Sequence, residues 1–276
     1  MNPRPSPLAP DPSIAPILLL GAGRLGGALL EGWIGAHAFA PGDLMIVDPK
    51  PSAPALAAEY SGAVLNPPEA RLAEARAVLM AVKPQVWRDA AAAYTALLGA
   101  EAVIVSVAVG VRAGDIAAAF GGRRAARVMP TTGVSIGRGV ASIFAEDPGA
   151  RACAHALFDP VATTVDLEDE DLMDVAAATS GSAPAYLYAF TEALAAAGAS
   201  AGLPPEAALR LATSTIVSAA ALMDGSEESL GELRSEVASP GGTTEAALRV
   251  LEGETGFGPL MREALAAAIR RAGELR

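Results

Sequence analysis

From residue 17 to about residue 167 the chain alternates short β-branched apolar runs with alanine-rich stretches of helical period. The apolar runs predict strands at 17–20, 44–47, 78–82, 103–107, 126–129, 140–144 and 163–167, and helices fit between most of them, as at 24–36, 84–98 and 111–120. Strands that are apolar without alternation, joined by helical crossovers, predict a parallel sheet covered on both faces. After Asp169 the strand signal stops. Residues 170–178, 183–201, 205–223, 227–237, 243–251 and 258–272 all read as helices, several opening on Pro, Ser or Thr and closing near Gly. The pattern therefore predicts an α/β domain over 17–168 followed by an all-α domain over 169–276.

Around 194–202 and 209–222 the apolar positions run over much of the helix circumference, interspersed with small residues. Such surface finds a second subunit, and small residues let helices approach closely, so an intertwined homodimer is expected. Hydrophobic residues make up 52% of the chain, and alanine is much the commonest of them. The longest candidate, 102–111, is interrupted by Ser106, is strand-sized and falls short of the roughly 20 residues a bilayer span needs, so no membrane segment is expected. Residues 1–16 hold six prolines without the charged-then-apolar pattern of a signal peptide. They read as a disordered leader, and the chain is expected in the cytoplasm. A net charge of −11 without a basic run opposes binding to nucleic acid and to anionic membrane surfaces. The single cysteine, Cys153, set among alanines, reads as buried filler; it excludes an intrachain disulfide and a cysteine-based zinc cluster, and no metal is expected.

Gly21-Ala22-Gly23-Arg24-Leu25-Gly26 directly follows the first strand and opens the first helix. In a Rossmann-type domain the first glycine of this G-x-G-x-x-G pattern makes the tight turn and the second lets a pyrophosphate approach the backbone. The third lets helix and strand pack closely, and the helix start supplies N–H groups for the anion. Asp48, ending the next strand, suits the adenosine ribose hydroxyls and would favour NADH. Lys50 and Arg24 could each pair with the 2′-phosphate of NADPH, and Asp48 could equally be a turn residue before Pro49, so the choice between NADPH and NADH stays open at this point.

Absences narrow the chemistry of the second half. Its 108 residues after position 168 contain neither lysine nor histidine, the chain's only ones being Lys50, Lys83, His37 and His155. Reduction of a ketone needs a proton donor for the developing alkoxide, commonly His, Lys or Tyr. The β-hydroxyacid dehydrogenases, which share this two-domain plan, use a second-domain lysine that this chain lacks. Tyr186 and Tyr188 remain as acids, though tyrosines on an alanine-rich helix usually serve packing. A C=N substrate carries much of its own electrophilicity and needs orientation and an anion hook more than a strong acid. Ser239-Pro240-Gly241-Gly242-Thr243-Thr244-Glu245 offers such a hook, with uncovered amides at a helix start beside hydroxyls. An ordinary capping box reads equally well from the same residues.

The run from Glu236 to Leu248 that contains this segment resembles the signature of pyrroline-5-carboxylate reductases. Ala81-Val82-Lys83-Pro84-Gln85, Arg127-Val128-Met129-Pro130 and Ser180-Gly181-Ser182-Ala183-Pro184-Ala185-Tyr186 agree with that family in order and position. The resemblance implies reduction of 1-pyrroline-5-carboxylate to proline by NADPH or NADH, in a homodimer that often assembles further into a ring such as a decamer. It implies that Gly21–Gly26, Ala81, Val82, Lys83 and Pro84, and Val107, Ala108 and Val109 line the cofactor. Ser239, Gly241, Gly242, Thr243 and Thr244 would hold the substrate carboxylate, with the Thr244 hydroxyl facing the ring nitrogen as the catalytic candidate. Glu170 matches an acidic position near the family's site. Arg24 and Leu25 stand where the family usually has Asn and Met, Thr131 and Gly133 replace Asn and Pro, Ala183 replaces Gly, and Glu69 replaces an Asn of some members. These departures bear on nucleotide preference and packing more than on substrate. A reductase of another cyclic imino acid and a non-catalytic nucleotide sensor are the competing readings. The hook opposes the sensor.

Overall fold

The computed structural model describes residues 12–274, and the chain divides into two compact units between Gly181 and Ser182. The first unit is built on eight strands: β1 (Ile17–Leu20), β2 (Leu44–Val47), β3 (Val64–Leu65), β4 (Ala77–Met80), β5 (Val103–Ser106), β6 (Ala125–Pro130), β7 (Gly139–Phe144) and β8 (Ala162–Asp166). They form one sheet in the order β3-β2-β1-β4-β5-β6-β7-β8. Its helices are α1 (Arg24–Gly35), α2 (Ala53–Tyr60), the single turn α3 (Glu69–Leu72), α4 (Trp87–Tyr94), α5 (Ala113–Ala119), α6 (Pro148–Phe158) and the short α7 (Met173–Ala176).

The expected parallel sheet is corrected at one place: β7 runs antiparallel to β6, while every other neighbouring pair is parallel. The connection from β6 to β7 holds only a 3-10 turn, Thr132–Ile136, closed by left-handed Gly137. A link that short can reverse the chain but cannot carry it back for a parallel return. Thr131 closes the reversal, its Oγ1 accepting the Val140 amide at 3.0 Å.

The apolar strands lack alternation because both faces are covered. Ile17 and Leu19 face a core with Leu29, Leu30, Trp33, Leu157 and Phe158, whereas Leu18 and Leu20 face Trp87, Ile116 and Phe120. Trp33, fully buried, donates its indole N–H to the Leu157 carbonyl at 2.8 Å, so the large ring brings no unpaired polar atom into the core. Cys153 is buried in the same core, as expected of filler.

One expected boundary differs. The leader expectation lies outside the described residues for 1–11, but Pro12–Ile14 form a 3-10 turn and Ile14 is buried in the core. The strands end before residue 169, as the pattern predicts, while the compact units divide after Gly181. Residues 169–181 stay with the sheet because Met173, fully buried, packs on Ala113, Met129 and Phe144. A π-helical turn, Ala177–Gly181, ends this segment.

The second unit contains α8 (Ala183–Ser200), α9 (Pro205–Gly225), α10 (Leu230–Val237), α11 (Thr243–Leu251) and α12 (Phe257–Glu274). Gly202, with positive φ, makes the turn from α8 to α9, and the two helices pack along each other with Ala195, Ala208 and Ala212 buried. A reciprocal Ser229–Glu232 capping box starts α10, and Phe190 of α8 meets Phe257 of α12 with ring centroids 5.8 Å apart. Those three alanines are the only buried hydrophobic residues among the unit's described residues, whereas Leu211, Val217, Leu222, Leu230, Val237 and Val250 are all more than half exposed. A unit with so little interior of its own needs a partner surface. Among the described helices, α9, continuous over 21 residues, is long and apolar enough to cross a membrane by length and composition alone.

Candidate active site

The glycine loop sits at the carboxyl end of β1, where the strand order reverses between β2 and β4 and open α/β sheets bind their ligands. Gly21 has φ +90°, a left-handed conformation that favours glycine, and its amide extends the sheet by donating to Val47 O at 2.9 Å. A β-carbon at Gly26 would lie 2.1 Å from the Gly21 carbonyl oxygen, so only glycine lets α1 approach the loop. At Gly23 a β-carbon would meet nothing within 4 Å. The middle glycine is thus not required by the protein's own packing; it leaves a bare backbone at the start of α1, which suits a pyrophosphate. Arg24 is exposed, Leu25 half-buried and Ala22 buried.

Asp48 is nearly buried, and both carboxylate oxygens accept main-chain amides: Oδ2 from Ala22 at 2.7 Å and Oδ1 from Lys50 at 2.7 Å. Asn66, in left-handed conformation at φ +45°, pairs with the Asp48 main chain through both ends of its amide. Asp48 thereby ties the end of β2 to the glycine loop, which the sequence reading offered only as a turn role, and Asn66 was not foreseen. Arg24 and Lys50 make no ion pair with a described carboxylate.

Two further loops leave the same sheet edge. Ala81 donates its amide to Leu20 O at 2.8 Å, which sets Ala81, Val82, Lys83 and Pro84 beside the glycine loop. Val107 donates to Met80 O at 3.1 Å and Ala108 to the buried Ser106 Oγ at 3.2 Å; Val109 follows with its side chain 47% exposed, and Gly110 turns the chain at φ +76°. Three carboxyl-edge loops expected to line a cofactor are therefore brought together.

Glu170 sits elsewhere than on an open surface. Its carboxylate, only 10% exposed, accepts the Ala113 amide at the start of α5 at 2.8 Å and the Arg127 guanidinium at 3.4 Å, and lies 3.6 Å from Arg112. These bonds all lie within the sheet unit.

In the helical unit, Gly242 is the N-cap of α11, and no side chain caps it. The amides of Thr243, Thr244 and Glu245 have no intrahelical acceptor at such a start. The capping-box alternative is half realised: Glu245 reaches back to the Gly241 amide at 2.5 Å, while no threonine hydroxyl caps the helix. That amide, and then Arg249 at 3.0 Å, hold Glu245 below the ordinary carboxylate range. Gly241, at φ +72°, thus has its amide engaged, Thr244 is half-buried, and Ser239 and Thr243 are exposed. Tyr186 is half-buried and Tyr188 exposed on α8.

Residues 16–110 match the family described as NADP oxidoreductase coenzyme F420-dependent, and residues 170–275 match the family described as pyrroline-5-carboxylate reductase dimerisation. Fold, glycine loop and these matches define a pyridine-nucleotide oxidoreductase with a helical dimerisation domain. A pyrroline-5-carboxylate reductase of Synechocystis is 34% identical over 261 residues, which cover 93% of this chain and 97% of that protein. A solved pyrroline-5-carboxylate reductase from Coxiella burnetii superposes with a TM-score of 0.87 at 31% identity, covering 95% of this chain and 99% of that one. A Plasmodium falciparum pyrroline carboxylate reductase with NADP bound shares the fold, with a TM-score of 0.77 at 24% identity over 94% of this chain and 97% of that one. The chain belongs to the pyrroline-5-carboxylate reductase family.

Proposed function

We propose that this chain reduces the C=N bond of 1-pyrroline-5-carboxylate to give L-proline, with NADPH or NADH as hydride donor. The observation that carries the reading is a near-full-length match to reductases of that name, joined to an uncapped α11 start beside Ser239 and Thr244. The bound nicotinamide supplies the hydride. The bare backbone at Gly23 receives the pyrophosphate, and Val82 and Val109 give the ring apolar walls. The amides of Thr243 and Thr244 and the Ser239 hydroxyl hold the substrate carboxylate without an arginine, and Gly242, whose own amide donates to Ser239 O at 2.9 Å, contributes the bare N-cap beside them. Thr244 Oγ1 hydrogen-bonds the ring nitrogen, orienting the imine and steadying its proton. Gly241 serves through its turn, since its amide is engaged by Glu245.

The exposed face of α8 to α12 is covered by a second copy, and dimers assemble further into a ring. The same covering accounts for the apolar length of α9 without a bilayer and fits a cytoplasmic enzyme. Purified protein given 1-pyrroline-5-carboxylate should oxidise one reduced nicotinamide per proline formed. Turnover with neither nucleotide would overturn the reading.

A further inference from the structure

We propose that Glu170 is a positioning residue for the cofactor: through the Ala113 amide it fixes the far end of the 107–112 loop and so the wall presented by Val109. The inference rests on reading that loop as part of the nicotinamide site. The loop is pinned at its near end by the Val107 and Ala108 amides, on Met80 O and Ser106 Oγ. Between there and α5 it holds Gly110 in a left-handed turn and carries the exposed Val109. A loop with such a turn needs a second anchor to keep one conformation, and Glu170 Oε1 on the Ala113 amide at 2.8 Å is that anchor.

Arg127 fixes the anchor in turn. Its side chain is 2% exposed in the middle of β6, and Glu170 is its hydrogen-bonded carboxylate, with Asp174 at 3.9 Å. Nε and Nη2 of Arg127 are buried without a hydrogen-bond acceptor, so the guanidinium depends on these two carboxylates for its compensation. A buried charge held this way keeps the Glu170 carboxylate in place. Arg112, 48% exposed, adds a screened contact at the rim.

Two separable effects follow: compensation of a buried charge, and acceptance of the Ala113 amide. The dissociation constant for NADPH, measured calorimetrically without substrate on the full-length protein, separates them when read beside melting temperature. Glu170→Ala should melt lower and bind NADPH at least tenfold more weakly. Arg127→Met/Glu170→Ala removes the guanidinium together with its hydrogen-bonded carboxylate and should recover part of the melting temperature, since Asp174 still loses the guanidinium at 3.9 Å, while binding stays at least tenfold weak. Arg127→Met/Glu170→Gln, which restores an acceptor for Ala113, should return affinity to within about threefold of the wild type. Wild-type affinity in either alanine variant would overturn the proposal, as would equal weakness in the two double variants. A wild-type protein that binds neither NADPH nor NADH would instead remove the dinucleotide reading itself.

Discussion

The carboxylate of Asp48 accepts the amide of Ala22 across 2.7 Å, joining the end of β2 to the first turn of the glycine loop. Its other oxygen is taken by the Lys50 amide, so both ends of the carboxylate hold main chain. Asp48→Ala should destabilise by about 1–3 kcal/mol, the cost of stranding buried amides, and weaken both nucleotides together. Lys50→Ala should lower kcat/KM with NADPH severalfold and leave the value with NADH nearly unchanged, because only the former carries a 2′-phosphate. Paired initial rates with the two nucleotides check both statements.

Two glycines of the loop, Gly23 and Gly26, should respond differently. Gly23→Val enters open space and should leave the melting temperature within a few degrees while abolishing measurable nucleotide binding. Gly26→Ala drives its β-carbon to 2.1 Å from the Gly21 carbonyl and should cost at least about 1–3 kcal/mol of stability. Thermal melts with and without NADPH distinguish the two: the first variant should melt normally and lose the ligand-induced rise.

Thr244 makes no capping bond, so Thr244→Ala should change stability little. If its hydroxyl orients the imine nitrogen, kcat/KM should fall roughly tenfold, about 1.4 kcal/mol of transition-state stabilisation. Thr244→Ser should restore much of the loss. Near wild-type turnover in the alanine variant would leave the amides of α11 as the whole of the hook.

His155 is the one histidine with a clear pH consequence. Burial works to lower its pKa, but hydrogen bonds to Asp159 at 3.0 Å and Asp166 at 3.2 Å prevail and raise it above the ordinary value. Thr164 also donates to Asp159, and Arg151 lies 3.9 Å from Asp166. A folded-state pKa above the unfolded one stabilises fully below about pH 6.5, and that contribution fades as pH rises through the folded value. His155→Gln should therefore lower the melting temperature more at pH 5.5 than at pH 9. An equal loss at both would exclude the linkage.

Periodicity made most of the fold legible because apolar runs such as Ile17–Leu20 and Val103–Ser106 serve two cores at once. The two-residue β3 is too short to leave a pattern, and the reversal of β7 depends on the length of a turn rather than on strand composition. The glycine loop was readable residue by residue, since Gly21 and Gly26 answer local steric demands and Gly23 leaves a bare backbone at a helix start. Asn66, Arg127 and the engagement of Glu170 were not, because their meaning comes from partners between 18 and 57 positions away. The division at Gly181 was hidden for a similar reason: helical period over 170–178 says nothing of which unit Met173 packs against.

The central claim is hydride transfer from the nicotinamide to the imine carbon, and isotope transfer tests it most directly. NADPH or NADH carrying deuterium at the transferable C4 position would be incubated with the protein and 1-pyrroline-5-carboxylate, and the product examined by NMR. The account predicts L-proline with one deuterium on the ring carbon that was double-bonded to nitrogen. Consumption of cofactor without deuterated proline, or no consumption with either nucleotide, would contradict it.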